Sequence, residues 1–314
     1  MTILVWGVPG DDPTRAVHAA LEDSGAPVVL LDQRQIGDMC VELTVCDGVT
    51  GHVRLGSETI GLTAVTGAYF RPHDWRRLPR FANSLPGSAD WDTAARVDAA
   101  LAAWSEITDA VVVNRPSTML SNGSKPYQAN LIRSAGFDTP ETLITTDADA
   151  VRAFAERHPA VVYKSTSAVR SIVARLTPDR LARIDDVRWC PTQFQELVPG
   201  IDHRVHVVGQ EIFACSITSD AVDYRYAGRD GSDVSIQAET IPHELAERCV
   251  HLAKACGLLV CGIDLRLSPD GRWYCFEVNP SPGFTFYQAA TGHAIDRAIA
   301  RVLTANTRLH IHRD

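Results

Sequence analysis

The chain of 314 residues lacks several patterns that define large classes of proteins. Its eight cysteines are scattered and none forms a Cys-x-x-Cys pair, so neither a zinc site nor a disulfide framework is expected. No apolar run reaches the roughly 18 residues of a membrane-spanning helix. The opening residues lack the basic segment and apolar core of a secretory signal. We therefore expect a cytoplasmic protein with no membrane partner.

Charge and glycine patterns exclude further classes. The net charge is −8, which gives no general basic surface for nucleic acid, so no nucleic-acid partner is expected. Gly7 and Gly10 do not belong to a G-x-G-x-x-G pattern, and a Walker-type phosphate loop is absent from the sequence. A hydrophobic content of 45% and a charged content of 22% are typical of an ordinary globular protein.

The first 120 residues predict an α/β domain. Strands are predicted at 3–6 and 28–31, with a helical pattern over 14–24 between them, which begins a βαβ unit with a parallel sheet. A hairpin is predicted between 41 and 55, and an alanine-rich helix over 94–108.

The most informative stretch lies near the end of the chain. Residues 261–266 read CGIDLR and residues 273–283 read WYCFEVNPSPG, and the Ser-Pro-Asp-Gly turn between them predicts two paired strands. Asp264 lies in the first strand. Glu277 and Asn279 are two apart in the second, so they share a face. Such an all-oxygen cluster suits Mg²⁺, although a strand pair with solvated acids is the alternative.

This stretch resembles the metal-binding end of the ATP-grasp ligases, and the resemblance extends over residues 110–303. In that family the matching Asp, Glu and Asn hold Mg²⁺ on the nucleotide phosphates. The resemblance therefore implies ATP and Mg²⁺ as cofactors, with Mn²⁺ as an alternative ion. It also implies an α/β (α+β) architecture, with an N-terminal α/β pre-grasp domain (1–115), a central ATP-grasp subdomain (116–190) and a C-terminal subdomain with the metal site (191–314).

Further positions match nucleotide-binding residues of the family. Lys125 begins a predicted helix and matches the first phosphate-contacting lysine. Lys164 ends a predicted strand and matches the second; a lysine on a buried strand is unfavourable unless it meets an anion. Glu196 and Val198 match the linker that offers backbone groups to adenine, and Asp202 matches the residue that binds the ribose hydroxyls.

Two arginines are predicted to carry the chemistry. The resemblance directs Arg204 toward the phosphates or the acyl phosphate, and Arg225 toward the γ-phosphate and substrate. Residues 165–171 depart from the family, because they contain no glycine where many relatives have a glycine-rich loop over the phosphates. The loop that starts at Arg71 and ends at Arg77 is either a contact for an anionic ligand or peptide, or a solvated loop.

The implied reaction is that of an ADP-forming carbon–nitrogen ligase. A carboxylate attacks the γ-phosphate of ATP, and an amine, or less often a hydroxyl, displaces phosphate from the acyl phosphate. The segment 192–209 is closest to the glutamate-ligase-like branch and to ligases that crosslink ribosomal peptides.

Three hypotheses follow from that likeness. The first is an amino-acid or peptide ligase in natural-product or peptide biosynthesis. The second is a macrocyclase that forms ester or amide crosslinks in a ribosomal peptide. The third, a nucleotide-binding module without catalysis, is disfavoured by the intact lysines and metal set. The expected partners are ATP and an amino acid or peptide, and a homodimer stays open because family members are often dimers.

Overall fold

The computed structural model describes residues 2–46, 48–166, 173–219 and 233–305, and within them it combines helices with four sheets. The strands are β1 (Thr2–Gly7), β2 (Val28–Asp32), β3 (Met39–Val45), β4 (Val49–Leu55), β5 (Glu58–Gly61), β6 (Val65–Arg71), β7 (Val111–Val113), β8 (Thr142–Thr145), β9 (Val161–Ser165), β10 (Ala174–Arg175), β11 (Thr192–Glu196), β12 (Ile201–Val208), β13 (Glu211–Ser219), β14 (Val234–Glu239), β15 (Val260–Leu267) and β16 (Trp273–Asn279). The helices are α1 (Asp12–Asp23), α2 (Ala89–Ile107), α3 (Lys125–Ser134), α4 (Ala148–Arg157), α5 (Pro178–Leu181), α6 (His243–Ala255), α7 (Thr285–Thr291) and α8 (Ile295–Thr304).

The first domain is built on a parallel sheet in the order β2-β1-β6-β7, as its sequence predicts. Helix α1 begins where the carboxylate of Asp11 accepts a hydrogen bond from the backbone N–H of Thr14 at 3.1 Å, which satisfies one donor of the first turn. Val17 and Leu21, one turn apart, are fully buried under the sheet. The predicted hairpin is confirmed as β3–β4. A third strand, β5, extends it; that strand is short and mostly exposed, so it lacks a strong alternation.

Two antiparallel sheets follow. The central one has the order β10-β9-β11-β8 and packs against α4 through Phe154, Val161 and Phe194. The C-terminal sheet has the order β14-β13-β12-β15-β16 and is covered on one face by α3 and α6. Strand β16 is therefore an edge strand of the sheet.

Five cysteines are buried in the C-terminal region: Cys215, Cys249, Cys256, Cys261 and Cys275. Burial raises the pKa of Cys215 to about 11 and acts in the same direction on the other four. These thiols stay protonated and behave as small apolar groups. The other three, Cys40, Cys46 and Cys190, are exposed.

The end of the chain returns to the first domain. A final helix predicted at 293–303 corresponds to α8, and the short α7 precedes it. Ile299 and Leu303 of α8 pack in one core with Ile3 and Val5 of β1. Within the described residues, no helix is long and apolar enough to cross a membrane.

Candidate active site

The predicted metal ligands lie together at one end of the β15–β16 pair. Asp264 is directly opposite Glu277, and Asn279 is opposite Gly262, so the three side chains share a face. A bulge after Asp264 places Phe276 as an extra residue on β16 and resets the register. Asp264, Glu277 and Asn279 line a cavity of about 340 Å³ together with Arg204, Gly283, Phe286 and Tyr287.

Basic groups stand against both carboxylates of this cavity. Nη1 of Arg204 lies 2.6 Å from Oδ1 of Asp264. Nζ of Lys125 lies 3.8 Å from Oε2 of Glu277. Each predicted carboxylate ligand therefore has a basic side chain within ion-pair distance.

The oxygen set fits a hard divalent cation. Two carboxylates and the amide of Asn279, whose Oδ1 also accepts from the N–H of Ser281 at 2.9 Å, face one cavity. No group of three His, Cys, Asp or Glu side chains that could hold a metal ion occurs in the described ranges, and this cavity itself has only two carboxylates. Mg²⁺ in nucleotide sites needs only one or two carboxylates, because phosphate and water complete its shell. The residues therefore fit Mg²⁺ on a nucleotide.

Arg204 is buried and fixed from several sides, with 4% of its surface exposed. Besides its bond to Asp264, its Nε donates to Nε2 of His206 at 3.4 Å, and its guanidinium lies 5.5 Å from the ring centre of Tyr287. The guanidinium also crosses directly over Gly262, where a Cβ atom would lie 1.9 Å from Nη2. A glycine inside a strand often marks such a close approach.

His206 is suited to accept that hydrogen bond. Burial lowers the pKa of its imidazole well below the usual range, and the nearby Arg204 and His293 act in the same direction. The ring is therefore neutral, and with Nε2 as the acceptor its proton resides on Nδ1. Because the histidine is neutral, it places no second positive charge beside the guanidinium of Arg204, which pairs with Asp264.

A second ion pair lies on the same sheet face. The two carboxylate oxygens of Asp202 accept from Nε and Nη2 of Arg266 at 2.7 and 2.9 Å, a bidentate pair across β12 and β15. Nη1 of the same arginine donates to the carbonyl of Val198 at 2.8 Å. Asp202 and Arg204 are two residues apart on β12, which corresponds to about 7 Å along the strand.

The Asp202 pair borders a larger cavity of about 840 Å³. Glu196, Val198 and Ile217 are among its lining residues. The N–H of Glu196 donates to the carbonyl of Glu141 at 3.1 Å, and its carboxylate accepts from the N–H of Glu141 at 2.9 Å. The predicted adenine and ribose residues are thus grouped along one cavity.

The remaining predicted residues fall in three places. Lys125 begins α3, as predicted, and its Nζ lies beside Glu277, one of the predicted metal ligands. Lys164 is half-buried on β9, opposite Gln193, on the central sheet rather than the sheet with the metal ligands. Arg225 and residues 167–171 of the glycine-free loop lie outside the described residues, so their roles stay predictions.

Arg71 connects the first domain to the turn after the metal ligands. Its Nε lies 2.8 Å from Oδ2 of Asp11, and its Nη1 donates to Oγ of Ser281 at 2.7 Å and to the carbonyl of Pro282 at 3.1 Å. Arg71, His73, Arg77 and Ser281 are among the residues that line an adjoining cleft of about 330 Å³. The anionic-ligand interpretation of this loop stays a prediction.

The arrangement of these sheets, with acidic and arginine side chains along one sheet face, is that of the ATP-grasp class. The family model described as "RimK-like ATP-grasp domain" matches residues 124–303, more than half of the chain. The chain therefore belongs to the RimK-like ATP-grasp family. The predictions of the family and of the ATP-grasp fold are confirmed.

Solved structures share the architecture over nearly the whole chain. The ATP-grasp ligase PsnB, solved with a phosphomimetic variant of its minimal precursor, Mg and ADP, is 26% identical with a TM-score of 0.77, and the alignment covers 96% of this chain and 97% of PsnB. The macrocyclase MdnC of Microcystis aeruginosa MRC, bound with the precursor peptide MdnA, has a TM-score of 0.81 at 22% identity, with 96% and 99% covered. The latter likeness shows the fold alone.

A curated relative matches a shorter segment. A probable alpha-L-glutamate ligase of Vibrio parahaemolyticus serotype O3:K6 is 29% identical over 121 residues, which is 38% of this chain. The match spans 40% of the length of that relative.

Proposed function

We propose that the protein is an ATP- and Mg²⁺-dependent, ADP-forming ligase that activates a carboxylate as an acyl phosphate and transfers it to an amine or hydroxyl. One observation carries this proposal. A single face of the C-terminal sheet holds the Asp202–Arg266 pair beside the larger cavity and, two residues along, the Arg204–Asp264 pair with Glu277 and Asn279. This face has the length and polarity to hold a nucleotide from ribose to phosphates.

The basic residues would act on the phosphates from the protein side. Mg²⁺ held by Asp264, Glu277 and Asn279 supplies neutralisation of the charge on the phosphates when bound. Lys125, whose Nζ lies 3.8 Å from Oε2 of Glu277, would add a positive charge beside the phosphates. Arg204 needs little reorganisation because its neighbours already fix it, and preorganised charge of this kind lowers barriers most effectively.

The chemistry needs no protein nucleophile. A substrate carboxylate oxygen attacks the γ-phosphorus and ADP leaves; the amine nitrogen or hydroxyl oxygen then attacks the acyl carbon, phosphate leaves, and the attacking group loses a proton. Such transfers depend on positioning and electrostatic stabilisation. Phe286 and Tyr287 add aromatic rings to the lining of the cavity that contains the predicted metal ligands.

The substrate class that we favour is a peptide with acidic side chains. The likeness to PsnB, whose structure includes a precursor, extends over 96% of this chain and so includes the first domain. That domain contributes Arg71, His73 and Arg77 to the cleft beside Ser281, two residues after Asn279. The guanidinium groups of Arg71 and Arg77, each paired with an aspartate, would offer further N–H donors to peptide carboxylates in this cleft. Crosslinking within one peptide is the form of the reaction that we favour.

A free amino acid is the second candidate substrate. It is supported by the matches to probable alpha-L-glutamate ligases at 29% and 31% identity, which cover 38% of the chain.

A homodimer also stays a prediction.

The test is phosphate release from ATP and Mg²⁺, screened against single amino acids, dipeptides and longer peptides that carry Glu or Asp with Ser, Thr or Lys. Turnover with longer peptides alone, with loss of one water mass per crosslink, supports the peptide ligase. Turnover with a pair of free amino acids supports the second candidate. Tight ATP binding without turnover on any of these substrates contradicts both.

A further inference from the structure

The edge strand that carries two predicted metal ligands pairs with the backbone of Asp138 near its start, but between the two ligands its outer edge is held by a side chain. Val278 lies between Glu277 and Asn279 on β16, the last strand of its sheet. Nε2 of Gln128 donates to the carbonyl of Val278 at 2.8 Å, and the N–H of Val278 donates to Oε1 of Gln128 at 3.0 Å. The amide thus takes the place of a neighbouring strand for this one residue.

Gln128 links the position of the edge strand β16 to that of Lys125 on α3. Only 3% of its surface is exposed, and it lies three residues after Lys125 on α3, so both side chains leave the helix on the same side. The contact that joins α3 to β16 through Gln128 therefore also sets Lys125 at 3.8 Å from Glu277. One docking contact fixes a basic group and a metal ligand together.

A second buried amide holds the other side of the same hairpin. Nδ2 of Asn114, which follows β7, donates to the carbonyls of Val260 and Pro280 at 2.6 and 2.7 Å. Its Oδ1 accepts from the N–H groups of Leu259 and Val260 at 3.0 and 3.2 Å. The metal-bearing end of β15 and β16 is thus restrained from two separate parts of the chain.

We propose that Gln128 is a positioning residue for the Mg²⁺–nucleotide site. By binding both backbone groups of Val278, it fixes the edge strand so that Glu277 and Asn279 face the cavity at the correct distance from Asp264 and Lys125. This inference rests on the proposed function. Without the amide, the outer edge of β16 keeps the backbone bonds of Trp273 and Cys275 to Asp138 but loses its restraint at Val278, and the ligand set loses its alignment.

The experiment compares two buried amides that make the same pair of bonds. Gln33 of the first domain donates from Nε2 to the carbonyl of His73 at 2.7 Å and accepts from its N–H at 2.8 Å, and it is fully buried. Gln128→Met and Gln33→Met each remove two hydrogen bonds with little change in volume. Calorimetry then gives the Mg²⁺ concentration for half-maximal ADP binding, and hydrogen exchange gives the protection of peptides from β16.

The expected result distinguishes a loss of ligand alignment at the site from a general loss of folding stability. Both variants melt at lower temperature than the wild type, but only Gln128→Met raises the half-saturating Mg²⁺ concentration, by about tenfold or more, since groups that orient ligands typically matter on this scale. Only Gln128→Met also speeds exchange in β16 in the metal-free protein. An unchanged Mg²⁺ requirement in Gln128→Met, despite lost stability, overturns the inference.

A milder variant keeps the test available if Gln128→Met does not fold. Gln128→Glu with an ionised carboxylate can still accept from the N–H of Val278 but cannot donate to its carbonyl, so this variant is measured at a pH well above the usual pKa of glutamate. We expect a rise in the Mg²⁺ requirement between wild type and the Met variant, and a folded Gln128→Glu protein with the wild-type requirement overturns the inference. Absence of Mg²⁺-dependent ADP binding in the wild type would instead count against the proposed function.

Discussion

Two carboxylate–guanidinium pairs lie side by side on the C-terminal sheet, and they differ in how firmly each arginine is held. In the Asp202–Arg266 pair the arginine side chain is 17% exposed, and its other contacts are a backbone carbonyl and the ring of Phe276. In the Arg204–Asp264 pair the arginine side chain is 5% exposed and is also fixed by a neutral histidine, an aromatic ring and a glycine that leaves it room.

The difference corresponds to the two tasks expected along one nucleotide. A residue that binds the ribose contributes equally in the ground state and in the transition state, so its carboxylate needs only the correct orientation. Stabilising charge that develops on transferring phosphate needs a cation that does not have to move. We therefore expect changes at the metal end to lower kcat, and changes at the ribose end to raise the KM for ATP.

The largest effect is expected at the metal end. Glu277→Gln removes a carboxylate ligand while keeping the shape of the side chain, so ATP turnover falls by about 1,000-fold. The melting temperature stays close to that of the wild type because Glu277 is partly exposed and faces the cavity. Phosphate-release assays and thermal melts give the two values, and normal turnover removes Glu277 from the metal site.

A smaller loss is expected for Arg204→Lys. A lysine keeps the charge but cannot contact Asp264 and His206 from one planar group, so kcat falls by about 10- to 100-fold. The matched control is Arg301→Lys, because Arg301 pairs with Glu211 on the same sheet at 2.7 Å but is 58% exposed. Equal activity in the two variants would show that the fixed geometry of Arg204 is not used.

The ribose end provides the contrast. Asp202→Asn weakens the contact to the ribose hydroxyls and raises the KM for ATP about tenfold, with kcat nearly unchanged. Steady-state kinetics on Asp185→Asn, which alters an exposed acid paired with Arg152 and lining neither cavity, serve as control. If Asp202→Asn instead lowers kcat and leaves the KM alone, the division of tasks along this face is wrong.

The smallest effect concerns pH. The folded-state pKa of His206 is lowered by burial, so the unfolded chain binds the proton more readily. Its contribution to stability is therefore complete above about pH 6.5 and is lost as the pH falls below that value, by up to about 1.4 kcal/mol per pH unit. Urea unfolding from pH 7.5 to 5.0 measures this slope.

His206→Gln is the comparison for that slope. His293, whose pKa is also lowered by burial, remains in the variant, so the difference between the two proteins isolates His206. The wild type should lose more stability than the variant over this range. Parallel curves would mean that His206 is protonated in the folded protein as readily as in the unfolded one.

The local arrangement of the predicted ligands could be derived from the sequence. Alternation along two strands joined by a turn placed Asp264, Glu277 and Asn279 on one face, and the helix start at Lys125 was equally readable. The close approach at Gly262 also had a signal, a glycine inside an apolar strand, although no prediction used it.

The partners of these residues could not be predicted in the same way. Gln128 and Val278 are 150 residues apart, and Asn114 and Val260 are 146 apart. Such contacts arise only when separate elements dock, and neither periodicity nor turn chemistry encodes them. The bidentate partner of Asp202, Arg266, depends likewise on the register between β12 and β15.

The most direct test of the account is a calorimetric titration of ADP in the presence and absence of Mg²⁺, on the wild type and on the Asp264→Asn/Glu277→Gln double variant. We predict that Mg²⁺ tightens ADP binding by the wild type about tenfold or more and has no effect on the double variant. Equal Mg²⁺ dependence in the two proteins, or none in the wild type, would contradict the assignment of this sheet face as the Mg²⁺–nucleotide site.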